Sequence, residues 1–282
     1  MMLYLKQKLI NPVLEKEFRL RLRTIRSPLA LMFYLFAIGL IAFGFMYMMF
    51  NDYYYGGMNP ERSREMFYFL SGVQLFLILF MTPGLTAGVI SSEREKQTLN
   101  ILLTTQQSST TIILSKLFSS ISFMILIVFA TLPIYSIVFL FGGISPSQVV
   151  FIFLFYIFLM FSLGAFGILF STIFKKTMIA IITTYGTTIF LYGFTGLAAI
   201  FFESINRGVG SNLVGFLLSL NPLAALISMY DSNFTEQMFR SQKDFQIWEI
   251  FVFVYFIIMI ICILLSIRFL RPALKKKKLK QS

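Results

Sequence analysis

Six strongly apolar stretches of this 282-residue chain, 28–50, 67–90, 117–141, 149–174, 178–202 and 250–267, each run for at least 18 residues without a charged side chain. A helix needs about 20 mostly apolar residues to cross a hydrocarbon core about 30 Å thick, so each run is long enough to span a membrane. Charged residues make up 13% of the chain, against about 25% in a soluble domain, and the deficit is concentrated in these runs. The expected fold is an all-α polytopic membrane protein. Its single six-span membrane domain covers 28–270, between a cytoplasmic N-terminal segment, 1–27, and a basic cytoplasmic tail, 271–282.

Ser27 followed by Pro28 marks the start of span 1, a capping residue before a proline in the first turn. Pro83 with Gly84 in span 2, and Pro133 in span 3, are expected to kink those helices. Six spans put both termini on one side. Nineteen of the 24 Lys and Arg fall on that side, giving it a net charge of +15, against −3 for the other face. The positive-inside rule therefore makes both termini cytoplasmic. The N-terminus is basic and lacks a short apolar run before a small-residue cleavage site, so it is not expected to be a cleaved signal.

Composition excludes several chemistries. With no histidine, a Ser-His-Asp triad and a His-ligated metal are impossible; the one cysteine, Cys262, can form neither an internal disulfide nor a thiolate cluster. No catalytic or metal-binding residues are expected. The net charge of +12 is read as cytoplasmic loops and a Lys-rich tail facing anionic lipid, not as a nucleic-acid surface. Residues 213–230 are apolar but carry Asn221 and Pro222 at their centre. A seventh span there would place the lysines of 275–278 outside. The segment is expected to form two short helices that either dip into the outer leaflet as a re-entrant pair or cap the bundle.

Two cytoplasmic elements have helical periodicity. Leu14, Phe18, Leu22 and Ile25 share one face, with Lys16, Arg19, Arg23 and Arg26 on another, as in an amphipathic helix lying in the headgroup plane as an elbow before span 1. Between spans 2 and 3, Ser91 or Ser92 can cap a helix with Glu93 and Glu95 in its first turn and Leu99, Leu102 and Leu103 at i, i+3 and i+4. That leucine stripe must cover something apolar: the membrane surface, its own bundle, or a partner.

Residues 88–105 read Gly-Val-Ile-Ser-Ser-Glu-Arg-Glu-Lys-Gln-Thr-Leu-Asn-Ile-Leu-Leu-Thr-Thr, and Lys116 opens the next span. This run resembles the signature cytoplasmic loop of bacterial type-2 ATP-binding-cassette (ABC) permeases. The opening Asn11-Pro12-Val13-Leu14-Glu15-Lys16-Glu17-Phe18-Arg19 and the Asn221-Pro222-Leu223 before the last span are similar to the same family. The chain departs from the pattern at Gln97, where glycine is usual, at Gln106 or Gln107, where proline is usual, and at Ser115, where glycine often precedes the lysine. The resemblance implies that the loop is a coupling helix docking on an ABC ATPase through Glu93, Glu95, Thr98, Leu99 and Leu102. It also implies two ATPase copies, a second permease subunit, identical or homologous, and a bacterial plasma membrane location. No GxxxxGK[ST] phosphate-binding pattern occurs in this chain, so ATP and Mg are expected on the separate ATPase, with no cofactor in the chain itself.

Apart from tyrosine and Cys262, the six runs contain no ionisable side chain, unlike ion-coupled transporters, which bind their driving ion with intramembrane charges. Thr184, Thr188, Tyr192 and Thr195 repeat along one face of span 5, and Gln74 lies with Ser71 and Gly72 in span 2. Such residues can line a substrate path, or let helices pack closely. A path lined by Phe, Thr and Tyr suits an apolar or amphipathic molecule, such as a drug, peptide or lipid-like compound. The function expected is the permease subunit of an ATP-driven exporter. The alternative is a non-transporting sensor or immunity component that responds to a peptide.

Overall fold

The computed structural model describes residues 26–51, 60–99, 108–139, 142–205, 211–239 and 245–270. The elbow residues Leu14, Phe18, Arg19, Leu22 and Arg23, the loop residue Leu102 and the tail lie outside them. Among the described residues all regular structure is helical, and six helices are long and apolar enough to cross a membrane.

Span 1 is α1, Arg26–Asn51; span 2 is α2, Pro60–Thr86; a short helix, α3, covers Ser91–Glu95. Span 3 is α4, Ser109–Ala130, continued by α5, Leu132–Phe139. Span 4 is α6, Pro146–Ile173, and span 5 is α7, Thr177–Ile205. Three short helices follow, α8, Asn212–Leu218, α9, Pro222–Tyr230, and α10, Ser232–Met238, before span 6, α11, Ile247–Leu270. At about 1.5 Å per residue, the 26 residues of α1 reach beyond the hydrocarbon thickness.

Several helices begin where local chemistry dictates. α6 opens with a capping box: the Ser145 hydroxyl accepts from Gln148 N, the Gln148 side chain accepts from Ser145 N, and Pro146 takes the first helical position. α4 starts at Ser109, well before the expected 117, because the Ser108 hydroxyl accepts from Thr111 N. Arg26 is already helical, two residues before the expected start at 28. Pro83 lies within an uninterrupted α2, whereas the expected break near Pro133 occurs at Thr131, which ends α4. There the Thr131 hydroxyl donates to Val128 O at 2.7 Å.

α6 is the hub of the bundle, packing against α2, α4, α7 and α11, and it is the most buried of the six spans. Gly167 on α6 has Thr86 so close that a Cβ would lie 2.1 Å from the threonine Oγ1, and 3.1 Å from Ala87 N. Tyr156 reaches from α6 to donate to Ser71 O of α2 at 2.8 Å. By contrast, α1 buries a narrow stripe, Tyr34, Ile38 and Ala42, and turns Met32, Phe33, Phe36 and Phe43 outward. α7 likewise exposes Ile182, Ile189, Phe190 and Leu197. In water such an apolar girdle would drive aggregation; in lipid it is the matching surface.

The connections sort into two faces. On one, the turn after α2 meets the α6–α7 junction. On the other, Ser63 donates to Val138 O at 2.7 Å and Arg64 Nε to Gly143 O at 3.2 Å, joining the start of α2 to the end of α5 and the segment that follows it. α8 and α9 bend by 102° at Leu220 and Asn221, giving two short helices in residues 213–230.

Candidate coupling and translocation site

Between α2 and α4 the chain makes a tight, polar turn. Ser91 and Ser92 do not cap α3; the Ser171 hydroxyl of α6 accepts from Ile90 N and Ser91 N, at 2.8 and 2.9 Å. A neighbouring helix thus satisfies the amides that a helix start leaves open. The next three charged residues each reach a different span. Glu93 Oε1 pairs with Lys116 Nζ of α4 at 2.5 Å, the lysine 2% exposed and the glutamate 25%. Arg94 donates to Thr172 O at 3.0 Å and Phe174 O at 3.4 Å, placing its cation at the negative C-terminal end of α6. Glu95 accepts from Thr177 N at 2.8 Å and Thr177 Oγ1 at 2.6 Å, placing its anion at the positive N-terminal end of α7.

The expected continuous amphipathic helix is interrupted. Gln97 has φ +58°, the one positive value of a non-glycine among the described residues, and it reverses the backbone after Lys96. Thr98 Oγ1 then donates back to Glu93 O at 3.2 Å. Leu99 turns into the core of its own bundle and is 5% exposed. Two members of the expected docking set thus have partners within the chain. A leucine that buried has little surface left for another protein, and the Glu93 carboxylate is held by Lys116 within the chain. The exposed edge of the turn is formed by Glu95, Lys96, Gln97 and Thr98.

A cavity of about 390 Å3, open to the outer apolar surface where Phe80 and Ile189 are exposed, lies between α2 and α7, with Leu79 and Phe80 on one wall, Tyr185, Thr188, Ile189 and Tyr192 on the other, and Asn221, Pro222 and Leu223 at one end. Its size falls within the range of small-molecule sites, and its surface is almost wholly apolar. The Asn-Pro-Leu sequence builds one end. Asn221 Oδ1 accepts from Leu223 N at 3.0 Å, capping α9, while its Nδ2 donates to Tyr192 O at 2.8 Å, tying the elbow of the bent pair to α7. Tyr185 OH donates to Phe80 O at 2.6 Å, fastening α7 to the turn of α2 that precedes Pro83.

The residues proposed from sequence to line a path divide. Thr188 and Tyr192 are in the cavity wall; Thr184, Thr195 and Gln74 are not. Thr184 and Thr195 are buried, and their hydroxyls donate to the carbonyls of Ala180 and Leu191 on their own helix, at 2.7 Å each. Bonded in this way, the hydroxyls are satisfied by their own helix. Gln74 is fully buried, and its amide has no hydrogen-bond partner among the described residues. Sequence reasoning missed Ser171, Thr177 and Tyr185, which nothing local distinguishes from other small or aromatic span residues. It counted Arg94 and Lys116 only as charge, although both stand in the run that carries the family resemblance.

Residues 54–269 match the family model described as ABC-2 family transporter protein. The match takes in most of the chain, including spans 2 to 6, the polar turn and the cavity, and the chain belongs to this family: it is a membrane permease component of an ABC transporter. No curated protein matches it.

Proposed function

We propose that the chain is the membrane subunit of an ATP-driven exporter for apolar or amphipathic molecules, working with a second permease copy, identical or homologous, and two ATPase subunits that carry ATP and Mg. The face holding the 91–99 turn is cytoplasmic in this proposal, in the plasma membrane of a bacterium, consistent with its excess of basic residues. The observation that carries the reading is the turn itself. It presents an exposed edge, 95–98, on a turn whose Arg94 and Glu95 side chains are bonded to the ends of spans, which is what a rigid contact with a separate ATPase requires. The cavity between α2 and α7 supports the substrate class, since its apolar wall offers little to a sugar or an inorganic ion. Alternating access then consists of a change in how α2 and α7 pack.

The test is purification from native membranes in mild detergent. An ATPase is expected to accompany the wild type, and Thr98→Trp, which puts a bulky ring on the exposed edge of the turn, is expected to release it by blocking close approach. A wild type that retains no ATPase would contradict the proposal. Retained ATPase without vectorial movement of any apolar compound would favour the non-transporting alternative.

A further inference from the structure

The contacts of the polar turn differ in what they hold. Ser171 and Arg94 fasten its start and middle to α6, the most buried span and the one packed against four others. Glu95 grips α7, which exposes an apolar surface along most of its length. A turn bonded at one point to the fixed hub and at another to a less confined helix is a lever with its pivot on α6. α7 is a helix of 29 residues without an internal proline, so movement of its first residue is carried along the rod to Tyr185, Thr188 and Ile189, the cavity wall two to three turns away at about 3.6 residues per turn. The turn also packs directly on this end of α7: a Cβ at Gly88 would lie 3.1 Å from Thr177 Cγ2.

We propose that Glu95 is the positioning residue that delivers displacement of the 91–99 turn to α7, with Arg94 and Ser171 supplying the pivot on α6. Glu95 therefore acts through Thr177, at the opposite end of the first turns of α7 from the cavity. This inference rests on the proposed ATPase contact but is separable from it, because Glu95 links two parts of this chain to each other.

The test uses the complete complex with its ATPase in lipid nanodiscs, in a Cys262→Ser background carrying bimane at Ile189→Cys, an exposed position on the cavity wall. Bimane emission is compared before and after trapping with ATP and vanadate. With Glu95 intact the emission changes on trapping. Thr177→Pro, which removes both donors to Glu95 at a first helical position that tolerates proline and lies outside the exposed edge, retains the bound ATPase and its hydrolysis but loses most of that change. Glu95→Gln keeps it, because the amide carbonyl can still accept from Thr177 N. Thr177→Ala, which keeps the backbone bond and removes the hydroxyl, gives an intermediate change and provides an independent reading if Thr177→Pro inserts poorly. A full emission change in Thr177→Pro overturns the proposal while leaving the ATPase contact standing. No change in the Glu95-intact complex, with the ATPase bound and active, overturns both.

Discussion

At the scale of single residues, the polar turn holds the chain's clearest local conflict. Gln97 takes a left-handed conformation, φ +58°, that costs an L-residue roughly 1–2 kcal/mol and glycine almost nothing. Gln97→Gly is therefore expected to raise stability by about 1 kcal/mol, read as a higher midpoint of thermal unfolding in detergent; a lower midpoint would show that the glutamine side chain contributes more than its backbone costs. The Glu93–Lys116 pair is shielded on both sides. Lys116 is 2% exposed, and Glu93 Oε2 is buried with no hydrogen-bond partner among the described residues, so removing either side leaves the other charge without this counter-charge and away from water. Glu93→Ala and Lys116→Met are each expected to cost about 3 kcal/mol, by the same melts. The special position of Gln97 was visible as a departure from a family pattern, but its backbone angle was not, and no spacing rule could pair Glu93 with a lysine 23 positions on. Charge counting treats Arg94, Lys96 and Lys116 as equals; the fold gives Arg94 to a helix end and buries Lys116.

At the scale of elements, apolar periodicity and the absence of charge located the spans, because a hydrocarbon environment leaves helices of a set minimum length as the workable solution. Their ends were less legible. α3 is capped from α6, and α4 starts at a serine inside a run of polar residues that reads equally well as loop. Helix contacts were hidden too, since Gly167 looks like any span glycine until Thr86 is found against it. Gly167→Ala is expected to force α2 and α6 apart and cost about 1–3 kcal/mol. Gly44→Ala, with open space at its Cβ, should be close to neutral or slightly stabilising. Equal melting points for the two variants would argue against the packing described for α6. Asn221→Ala removes both the α9 cap and the tie to Tyr192, and about 1–2 kcal/mol of stability should go with them.

At the scale of the whole molecule, the polar turn meets the start of α7 and the cavity lies two to three turns further along the same helix, so α7 joins the proposed ATPase contact to the proposed substrate space. The amphipathic loop was evident from its leucine spacing, but where those leucines go was left open among membrane, bundle and partner; Leu99 goes to the bundle, and the edge available to another protein is the polar one. The central claim is that this edge docks on a separate ATPase. The most direct measurement places a photocrosslinking amino acid at Thr98, which is exposed at the tip of the turn, and irradiates cells before membranes are prepared. The expected outcome is a crosslinked product containing an ATP-binding-cassette subunit, lost when the same group is placed at buried Ile121. Products containing only lipid or this chain itself, from a membrane in which the ATPase is present, would contradict it.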